Sequence, residues 1–202
     1  MTPLPLGLYG MADAQFGDPI TIGVDLADAG CEVIQLRAKG WEESALLDVA
    51  GRMKEALHAR GCRLIINDNP IVASRCGADG VHLGQDDGDI NVVRALLGPS
   101  VWIGRSTHTL EQVEQAQTEA DYIGFGPIFS TQTKRTGYAE RGVEMLKDAI
   151  TRSQIPVVAI GGITPARLPD IKHAGAKHWA VISAILRAPD RIAATRALLG
   201  RE

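Results

Sequence analysis

Short apolar segments alternate along this chain with longer amphipathic ones. The apolar segments are rich in small and β-branched residues and are apolar on both faces, as is typical of parallel strands covered by helices. This pattern predicts eight strands, at residues 7–12, 32–36, 63–66, 80–83, 101–104, 122–125, 157–160 and 178–182. Between them lie helical patterns such as residues 43–60, 110–119, 143–152 and 165–174.

Residues at the predicted helix boundaries support the assignment. Thr109 and Thr164 occupy N-cap positions, Pro165 takes the first helical position, and Gly61 and Gly175 close helices. Eight strands and roughly eight helices give about 25 residues per unit, the lower limit for a (β/α)8 barrel. An open doubly wound sheet is the alternative, but residues 9–13 contain no Gly-rich dinucleotide turn. We therefore predict an α/β fold, with one (β/α)8 TIM barrel as a single catalytic domain over residues 1–202.

The composition of the chain disfavours several kinds of binding partner. The 202 residues are 45% hydrophobic, carry a net charge of −3 and contain no linker-like segment, which indicates one core and disfavours a nucleic-acid partner. Cys31, Cys62 and Cys76 have spacings that fit neither a zinc site nor a disulfide framework. With no signal-peptide pattern and no apolar run that could span a bilayer, we expect a cytoplasmic protein without a membrane partner. Whether it forms a homo-oligomer is left open.

The second predicted strand runs into polar residues. Because side chains alternate along a strand, Gln35, Arg37 and Lys39 share one face, and Ile34 and Leu36 share the other. The apolar face can pack under the helices, which directs the polar face to the mouth of the barrel. The alternative is a polar edge that faces solvent.

Carboxylates follow strands 3 and 4. Asp68 comes directly after Asn67, and Asp86 and Asp87 follow the fourth strand. Neighbouring parallel strands lie about 4.8 Å apart, so these carboxylates can converge on one Mg²⁺, whose remaining sites would take water and phosphate oxygens. The alternatives are a helix cap or turn for Asp68 and a solvated turn for Asp86 and Asp87.

Hydroxyl groups and a lysine follow strand 6. Ser130, Thr131 and Thr133 can each donate a hydrogen bond, and Lys134 adds a compact positive charge, a mixture that suits phosphate oxygens. A solvated Ser/Thr turn is the alternative.

A second candidate anion site follows strands 7 and 8. Gly161 and Gly162 would let the backbone approach a ligand, and Ser183 follows the last strand. Loops at this place commonly bind phosphate in barrels. A tight turn and a helix cap are the alternatives. Two anion sites indicate two phosphorylated ligands, one of them a diphosphate.

These residues form an ordered series of motifs. The series is Gln35-Leu36-Arg37-x-Lys39, Asn67-Asp68, Gly80-Val81-His82-Leu83-Gly84-Gln85-x-Asp87, Gly104-x-Ser106-x-His108, Gly124-x-Gly126-Pro127-Ile128-Phe129-x-Thr131-x-Thr133-Lys134, Gly161-Gly162-Ile163 and Ile182-Ser183-Ala184-Ile185. It resembles the motif series of the thiamine-phosphate synthase family over nearly the whole chain. Enzymes of that family join a hydroxymethylpyrimidine diphosphate to a thiazole phosphate and release pyrophosphate and thiamine monophosphate.

The resemblance implies residue roles. Asp68 and Asp87 would hold Mg²⁺, and Gln35 would meet the pyrimidine. The diphosphate would be contacted by Arg37, Lys39, Asn67, Ser106 and Lys134. Among these, the expected catalytic residues are Arg37, Lys39, Ser106 and Lys134.

The second phosphate site is implied in the same way. Thr131 and Thr133 would bind the thiazole phosphate or lie between the two phosphate groups. Gly162, Ile182 and Ser183 would complete the site. The family reaction is dissociative: pyrophosphate leaves first, and the thiazole nitrogen captures a pyrimidine-stabilised carbocation.

Several positions depart from the family pattern or leave alternatives open. Asn69 stands where the family usually has an arginine, which removes a cation near the metal, and Asp13 ends an unusual first strand. The related thiazole tautomerases share this barrel and several of its motifs and are the alternative class, but they place a histidine at the position of Pro127 and lose the Thr-x-Thr-Lys set. A non-catalytic phosphate-ligand binder is a further alternative. Barrel-lining or capping is the expected role of His82 and His108.

Overall fold

Eight parallel strands close into a barrel. The computed structural model describes residues 3–131 and 137–200. The strands pair in chain order and β8 pairs with β1, which confirms the predicted (β/α)8 barrel. The strands are β1 (Gly7–Asp13), β2 (Val33–Arg37), β3 (Arg63–Asn67), β4 (Gly80–Leu83), β5 (Trp102–Thr107), β6 (Tyr122–Phe125), β7 (Val157–Ile160) and β8 (His178–Val181).

Helices follow the strands and surround the barrel. In the described ranges the α-helices are α1 (Pro19–Asp28), α2 (Glu43–His58), α3 (Pro70–Cys76), α4 (Ile90–Leu97), α5 (Leu110–Ala116), α6 (Gly142–Arg152), α7 (Leu168–His173), α8 (Ser183–Leu186) and α9 (Arg191–Leu199). Short 3-10 turns precede α1 and α7, at Ala14–Phe16 and Pro165–Arg167. No helix in this part of the chain has the length and apolar character needed to cross a membrane.

Alternation along the strands divides the core into two clusters. Ile34 and Leu36 of β2 belong to the large cluster between the barrel and the helices, whereas Val33 of the same strand faces the barrel interior. The interior cluster comprises Leu4, Tyr9, Met11, Val33, Ile65, Trp102, Tyr122, Val158 and Ala180. Side chains therefore fill the centre of the barrel, and a cavity opens above them towards its mouth.

Two sequence predictions of local structure need correction. The fifth strand extends to Thr107, three residues beyond the predicted end, so Ser106 lies within the strand. Thr109 caps α5 through its side chain as predicted. Thr164 also occupies an N-cap position before Pro165, but the element that begins there is a 3-10 turn leading into α7, and the Thr164 side chain makes no cap hydrogen bond.

Two aspartates tie neighbouring strands together at the amino-terminal end of the barrel. Asp79 precedes β4; its backbone N–H donates to Leu64 O, and its Oδ2 accepts from Leu64 N at 2.8 Å. Asp121 precedes β6 and makes the same two bonds with Ile103, the side-chain one at 2.7 Å. Each aspartate therefore extends the ladder between two strands through its side chain.

Candidate active site

One cavity opens at the carboxyl ends of the strands, and most of the predicted site residues line it. It is also lined by Tyr9, His82, His108 and Tyr122. The predicted residues in its wall are Gln35, Arg37, Asn67, Ser106, Thr131, Gly162, Ile182 and Ser183. They come from separate strands and loops, and only closure of the barrel brings them together.

Arg37 lies buried at the end of β2, held by a partner that the sequence did not reveal. Its Nη1 donates to Asp13 Oδ2 at 2.5 Å, and Asp13 is fully buried. The other Asp13 oxygen accepts from Gln15 N at 3.0 Å. A guanidinium has five N–H donors in a planar fork, so anchoring one nitrogen orients the others. The register that aligns Asp13 with Arg37 across β1 and β2 is the signal that could have identified this pair.

Asp68 and Asp87 meet beside Lys39 at the β2–β4 side of the mouth. Lys39 Nζ lies 2.8 Å from Asp68 Oδ2, and Gly84 N donates to Asp87 Oδ2 at 2.6 Å. Burial alone would raise the pKa of Asp68, but hydrogen bonds from Lys39 and Asp87 outweigh it and keep this pKa below its usual value. Burial and the neighbouring Asp68 raise the pKa of Asp87. Two carboxylates with diverging pKa values lie close enough to repel each other.

The backbone at Asp68 is also unusual. Its φ of 61° makes it the one non-glycine residue with positive φ among the described residues. A side chain in this left-handed region costs on the order of 1–2 kcal/mol, although aspartate tolerates it better than most residues. The Asp68 N–H donates to His82 O at 2.8 Å, which holds the strained turn against β4. The turn directs the Asp68 carboxylate towards Asp87.

This pair fits the coordination habits of Mg²⁺. Within residues 3–131 and 137–200, no cluster of three or more His, Cys, Asp or Glu side chains could hold a metal. Mg²⁺ commonly takes one or two carboxylates and completes its shell with water and phosphate oxygens. Asp68 and Asp87 therefore suit a metal that arrives with a phosphorylated ligand, and Asp86 is exposed in the turn between them and the next helix.

Asn69 has a structural role at this site. Its side chain accepts from Val72 N at 2.9 Å and caps α3, with Pro70 in the first turn. An arginine could not make this cap, since it has no acceptor. The asparagine that stands here thus gives α3 a side-chain cap directly after the Asp68 turn.

The loop after β6 packs closely against the predicted Gly161-Gly162 segment. A Cβ on Gly161 would lie 2.5 Å from Pro127 Cβ, and one on Gly162 would lie 2.6 Å from Ser130 O. Both glycines have positive φ, at 103° and 63°. The loop after β6 is held there by Phe129 N, which donates to Gly161 O at 3.1 Å. The glycines therefore dock the β6 loop onto β7, and both loops then face the cavity.

Thr131 is the last residue of the β6 loop that the structure describes before a gap in the described range. Thr131 lies in the cavity wall. Thr133 and Lys134 lie outside the described residues. Directly before them, Ser130 N donates to Glu140 Oε2 at 2.9 Å, which joins the start of the loop to the segment that leads into α6.

A buried hydrogen-bonded series crosses the floor of the cavity. Gln35 Nε2 donates to Tyr9 Oη at 2.9 Å, and Tyr9 Oη lies 2.8 Å from Tyr122 Oη. Tyr122 Oη lies 3.2 Å from His82 Nδ1, and His82 Nε2 lies 2.9 Å from Ser106 Oγ. The expectation that His82 lines the barrel agrees with this geometry. Tyr9 and Tyr122 were missed, because an isolated tyrosine in an apolar strand has the pattern of a core residue.

His108, two residues after Ser106, also lines the cavity. Its Nδ1 lies 2.6 Å from Gly126 O, and its ring stacks on Tyr138 with centroids 4.1 Å apart. Tyr138 follows the undescribed part of the β6 loop. His108 therefore anchors the far end of that loop at the cavity.

Comparison with known proteins places this geometry in a family. A thiamine-phosphate synthase from Synechococcus sp. (strain CC9605) is 47% identical over 84% of this chain and 48% of its own length. One from Laribacter hongkongensis (strain HLHK9) is 40% identical over 84% of this chain and 80% of its own. The chain thus spans about half the length of some of the curated relatives that it matches.

A solved structure agrees with the sequence comparison. The thiamine phosphate pyrophosphorylase from Pyrococcus furiosus superposes with a TM-score of 0.89 at 30% identity, over 96% of this chain and 93% of that one. The family profile described as thiamine monophosphate synthase matches residues 10–185, the stretch that contains the paired aspartates, Ser106 and the glycine segment after β7. With its motifs gathered around one cavity, the chain belongs to the thiamine monophosphate synthase family.

Proposed function

We propose that this protein is a thiamine-phosphate synthase, a transferase that joins a hydroxymethylpyrimidine diphosphate to a thiazole phosphate and releases pyrophosphate and thiamine monophosphate. The observation that supports the proposal is one cavity lined on two sides by groups that could bind phosphate. Arg37, Asn67 and Ser106 lie on the β2–β5 side, and Gly162 and Ser183 lie on the β7–β8 side. Two phosphorylated molecules that react with each other require such an arrangement.

The diphosphate belongs on the β2–β5 side in this proposal. Arg37 is already oriented by Asp13 and presents its remaining N–H groups, while Asn67 and Ser106 add neutral donors. Fixed donors stabilise the charge that grows on a departing diphosphate without having to reorganise. Gln35 lies deeper in the cavity, where it would meet the pyrimidine.

Mg²⁺ would be held by Asp68 and Asp87. When bound, it would help to neutralise the negative charge of the leaving diphosphate. Lys39, half exposed and paired with Asp68, can turn from the carboxylate to a phosphate oxygen once the ligand arrives. Lys134 would add a further cation from the β6 loop.

The thiazole phosphate belongs on the β7–β8 side. Ser183 is the first residue of α8, directly after Ile182, and both line the cavity beside Gly162. Thr131 and Thr133 would contribute from the β6 loop. Holding this acceptor in line with the pyrimidine favours dissociative coupling, in which pyrophosphate leaves before the thiazole nitrogen attacks.

The test is direct synthesis. Purified protein is incubated with both phosphorylated substrates and Mg²⁺, and we expect thiamine monophosphate and pyrophosphate in equal amounts. Omission of either substrate should abolish product, and replacement of Asp68 by asparagine should lower its rate of formation severely. Asp48→Asn, on the exposed face of α2, is the matched control and should retain full activity.

Other outcomes would select the alternatives. Isomerisation of a thiazole phosphate alone would indicate a tautomerase. Against this alternative, Pro127 lies in the cavity wall at the position where the tautomerases have a histidine. Binding of both phosphates without product would indicate a non-catalytic binder. We also propose that the whole chain acts as one catalytic domain in the cytoplasm, where Cys31, Cys62 and Cys76, unbonded here, stay reduced.

A further inference from the structure

The turn after β7 has two successive carbonyl groups held by residues that do not line the cavity. Gly161 O accepts from Phe129 N at 3.1 Å, and Gly162 O accepts from Arg167 Nη1 at 2.8 Å. In a trans peptide unit the C=O and the N–H point in opposite directions. Holding these two oxygens therefore directs the N–H groups of the same peptide units, those of Gly162 and Ile163, to the other side of the turn.

That other side belongs to the cavity wall. Gly162 and Ile163 both line the cavity, although the Ile163 side chain packs in the large cluster between the barrel and the helices. This placement indicates that the backbone of Ile163 faces the cavity. Within the described ranges, no backbone oxygen accepts from either N–H. Successive N–H groups on one side of a turn form a cradle for an anion.

Arg167 joins this turn to the loop after β6. Its guanidinium lies over the ring of Phe129, with Cζ 4.7 Å from the centroid, while Nη1 donates to Gly162 O. A planar guanidinium can stack on an aromatic face and donate a hydrogen bond at the same time. Arg167 is the last residue of the 3-10 turn Pro165–Arg167 and is exposed, so it contacts the outside of the cradle.

We propose that Arg167 is a positioning residue for the thiazole phosphate. By holding Gly162 O, it keeps the N–H groups of Gly162 and Ile163 directed into the cavity, where they donate to phosphate oxygens. Glycine permits the peptide unit to rotate, and a rotated unit would present a carbonyl oxygen to the anion. This inference rests on the proposed function and adds to it a residue that acts on the phosphate site from outside the cavity.

The first experiment measures binding without turnover. Inorganic phosphate is titrated into ¹⁵N-labelled protein, and the amide signals of Gly162 and Ile163 are followed by NMR. We expect both amide protons to move downfield in the wild-type protein, and the apparent Kd to rise roughly 3- to 30-fold in Arg167→Ala. Amide signals that do not respond to phosphate, or an unchanged Kd in the variant, would overturn the proposal.

The second experiment uses the KM and kcat of the coupling reaction. Arg167→Ala should raise the KM for the thiazole phosphate by a similar factor and leave kcat and the KM for the pyrimidine diphosphate nearly unchanged. The phosphate of the acceptor keeps its charge during the reaction, so its contacts are the same in the ground state and the transition state. A purely structural role would lower kcat and leave the KM for the thiazole phosphate unchanged, which would contradict the proposal.

Salt separates positioning from simple attraction by charge. In about 1 M salt, charges more than roughly 3 Å apart are screened from each other. The ratio of the thiazole phosphate KM values of Arg167→Ala and the wild-type protein should persist under this condition, because the hydrogen bond to Gly162 O acts locally. A ratio that falls to one would show that Arg167 acts only as a distant charge, against the proposal.

Arg152→Ala is the matched control. It removes another exposed arginine, which pairs with Glu114 at 2.8 Å from the last turn of α6, and it should leave both KM values unchanged. A wild-type protein that makes no thiamine monophosphate would overturn the proposed function. The phosphate titration needs no turnover, so it still decides whether Arg167 positions the cradle, and its failure in an active synthase would overturn the positioning role alone.

Discussion

The two ends of the barrel both place aspartates beside cations, yet the aspartates have different surroundings. At the amino-terminal end, Asp79 Oδ1 accepts from Arg63 at 2.9 Å, and its Oδ2 accepts from Leu64 N and contacts His58 Nε2 at 2.7 Å. At the mouth, two carboxylates lie against each other. One end pairs a single carboxylate with two basic side chains, whereas the other places two carboxylates beside one lysine.

The pKa shifts express the same difference. Burial alone would raise the pKa of Asp79, but the bonds to His58, Leu64 N and Arg63 outweigh it and lower the pKa. At the mouth, the pKa of Asp87 is raised by burial and by Asp68. Fully paired charge stabilises the folded chain, whereas crowded like charge is relieved only when a cation or proton arrives. The contrast matches the general division of such barrels into a stabilising face and a functional face.

The largest expected effect is at the mouth. Asp68→Asn should lower turnover on the order of 100- to 1000-fold, the range observed when one charge-stabilising group is removed from an active site. The free energy of unfolding should change by less than about 1 kcal/mol, because the partner Lys39 is half exposed. Steady-state kinetics with saturating Mg²⁺ and urea unfolding measure the two quantities.

Excess EDTA should abolish wild-type turnover, and added Mg²⁺ should restore it. Full activity in EDTA would contradict the assignment of Mg²⁺ to this site.

The next effect separates the two sides of the mouth. Arg37→Lys keeps a cation beside the buried Asp13 but loses the planar fork, so it should raise the KM for the diphosphate about 10- to 150-fold. Ser183→Ala should raise the KM for the thiazole phosphate by a similar factor and leave the diphosphate nearly unaffected. Equal impairment of both substrates by both variants would contradict the two-site arrangement.

At the amino-terminal end the effect should fall on stability alone. Asp79→Asn removes the charge that pairs with Arg63 and His58, and we expect a loss of about 2 kcal/mol in the free energy of unfolding with unchanged kcat. Because the folded-state pKa is lowered, the stabilisation is complete above the unfolded pKa of about 3.9 and is lost as pH falls through the lower folded value. Urea titrations between neutral and acid pH should therefore show the wild-type advantage shrinking below about pH 4. A constant difference across that range would contradict the role of the charge.

The smallest effect has the opposite sign. In metal-free buffer, Asp87→Asn removes the repulsion from Asp68 while its amide oxygen can still accept from Gly84 N. The raised folded pKa means that the ionised carboxylate destabilises the fold once pH exceeds the unfolded pKa, so the variant should be more stable at pH 7 by up to about 1 kcal/mol. Differential unfolding of the variant and the wild-type protein in EDTA measures this shift. A loss of stability equal to that of Asp79→Asn would erase the distinction between the two ends.

The sequence alone determined the fold and the types of side chain at the barrel mouth, through its hydrophobic periodicity and the polar residues at the strand ends. The two-sided apolar strands required cover on both faces, which predicted the barrel, and alternation along β2 placed Gln35 and Arg37 on the cavity side. These signals are local, because side-chain direction repeats every two residues in a strand. The same alternation could not reveal which residue on another strand each polar group would meet.

Tertiary structure alone decided the partners. Asp13 meets Arg37 through the β1–β2 register, Asp68 turns towards Asp87 through a left-handed backbone, and Gly104 leaves the space in which Tyr122 meets His82. Each of these contacts joins residues from different strands or loops, so it depends on register, turn geometry and closure of the barrel. The types of side chain at the mouth are written in the sequence, whereas their partners follow from contacts that form only when the eight strands close.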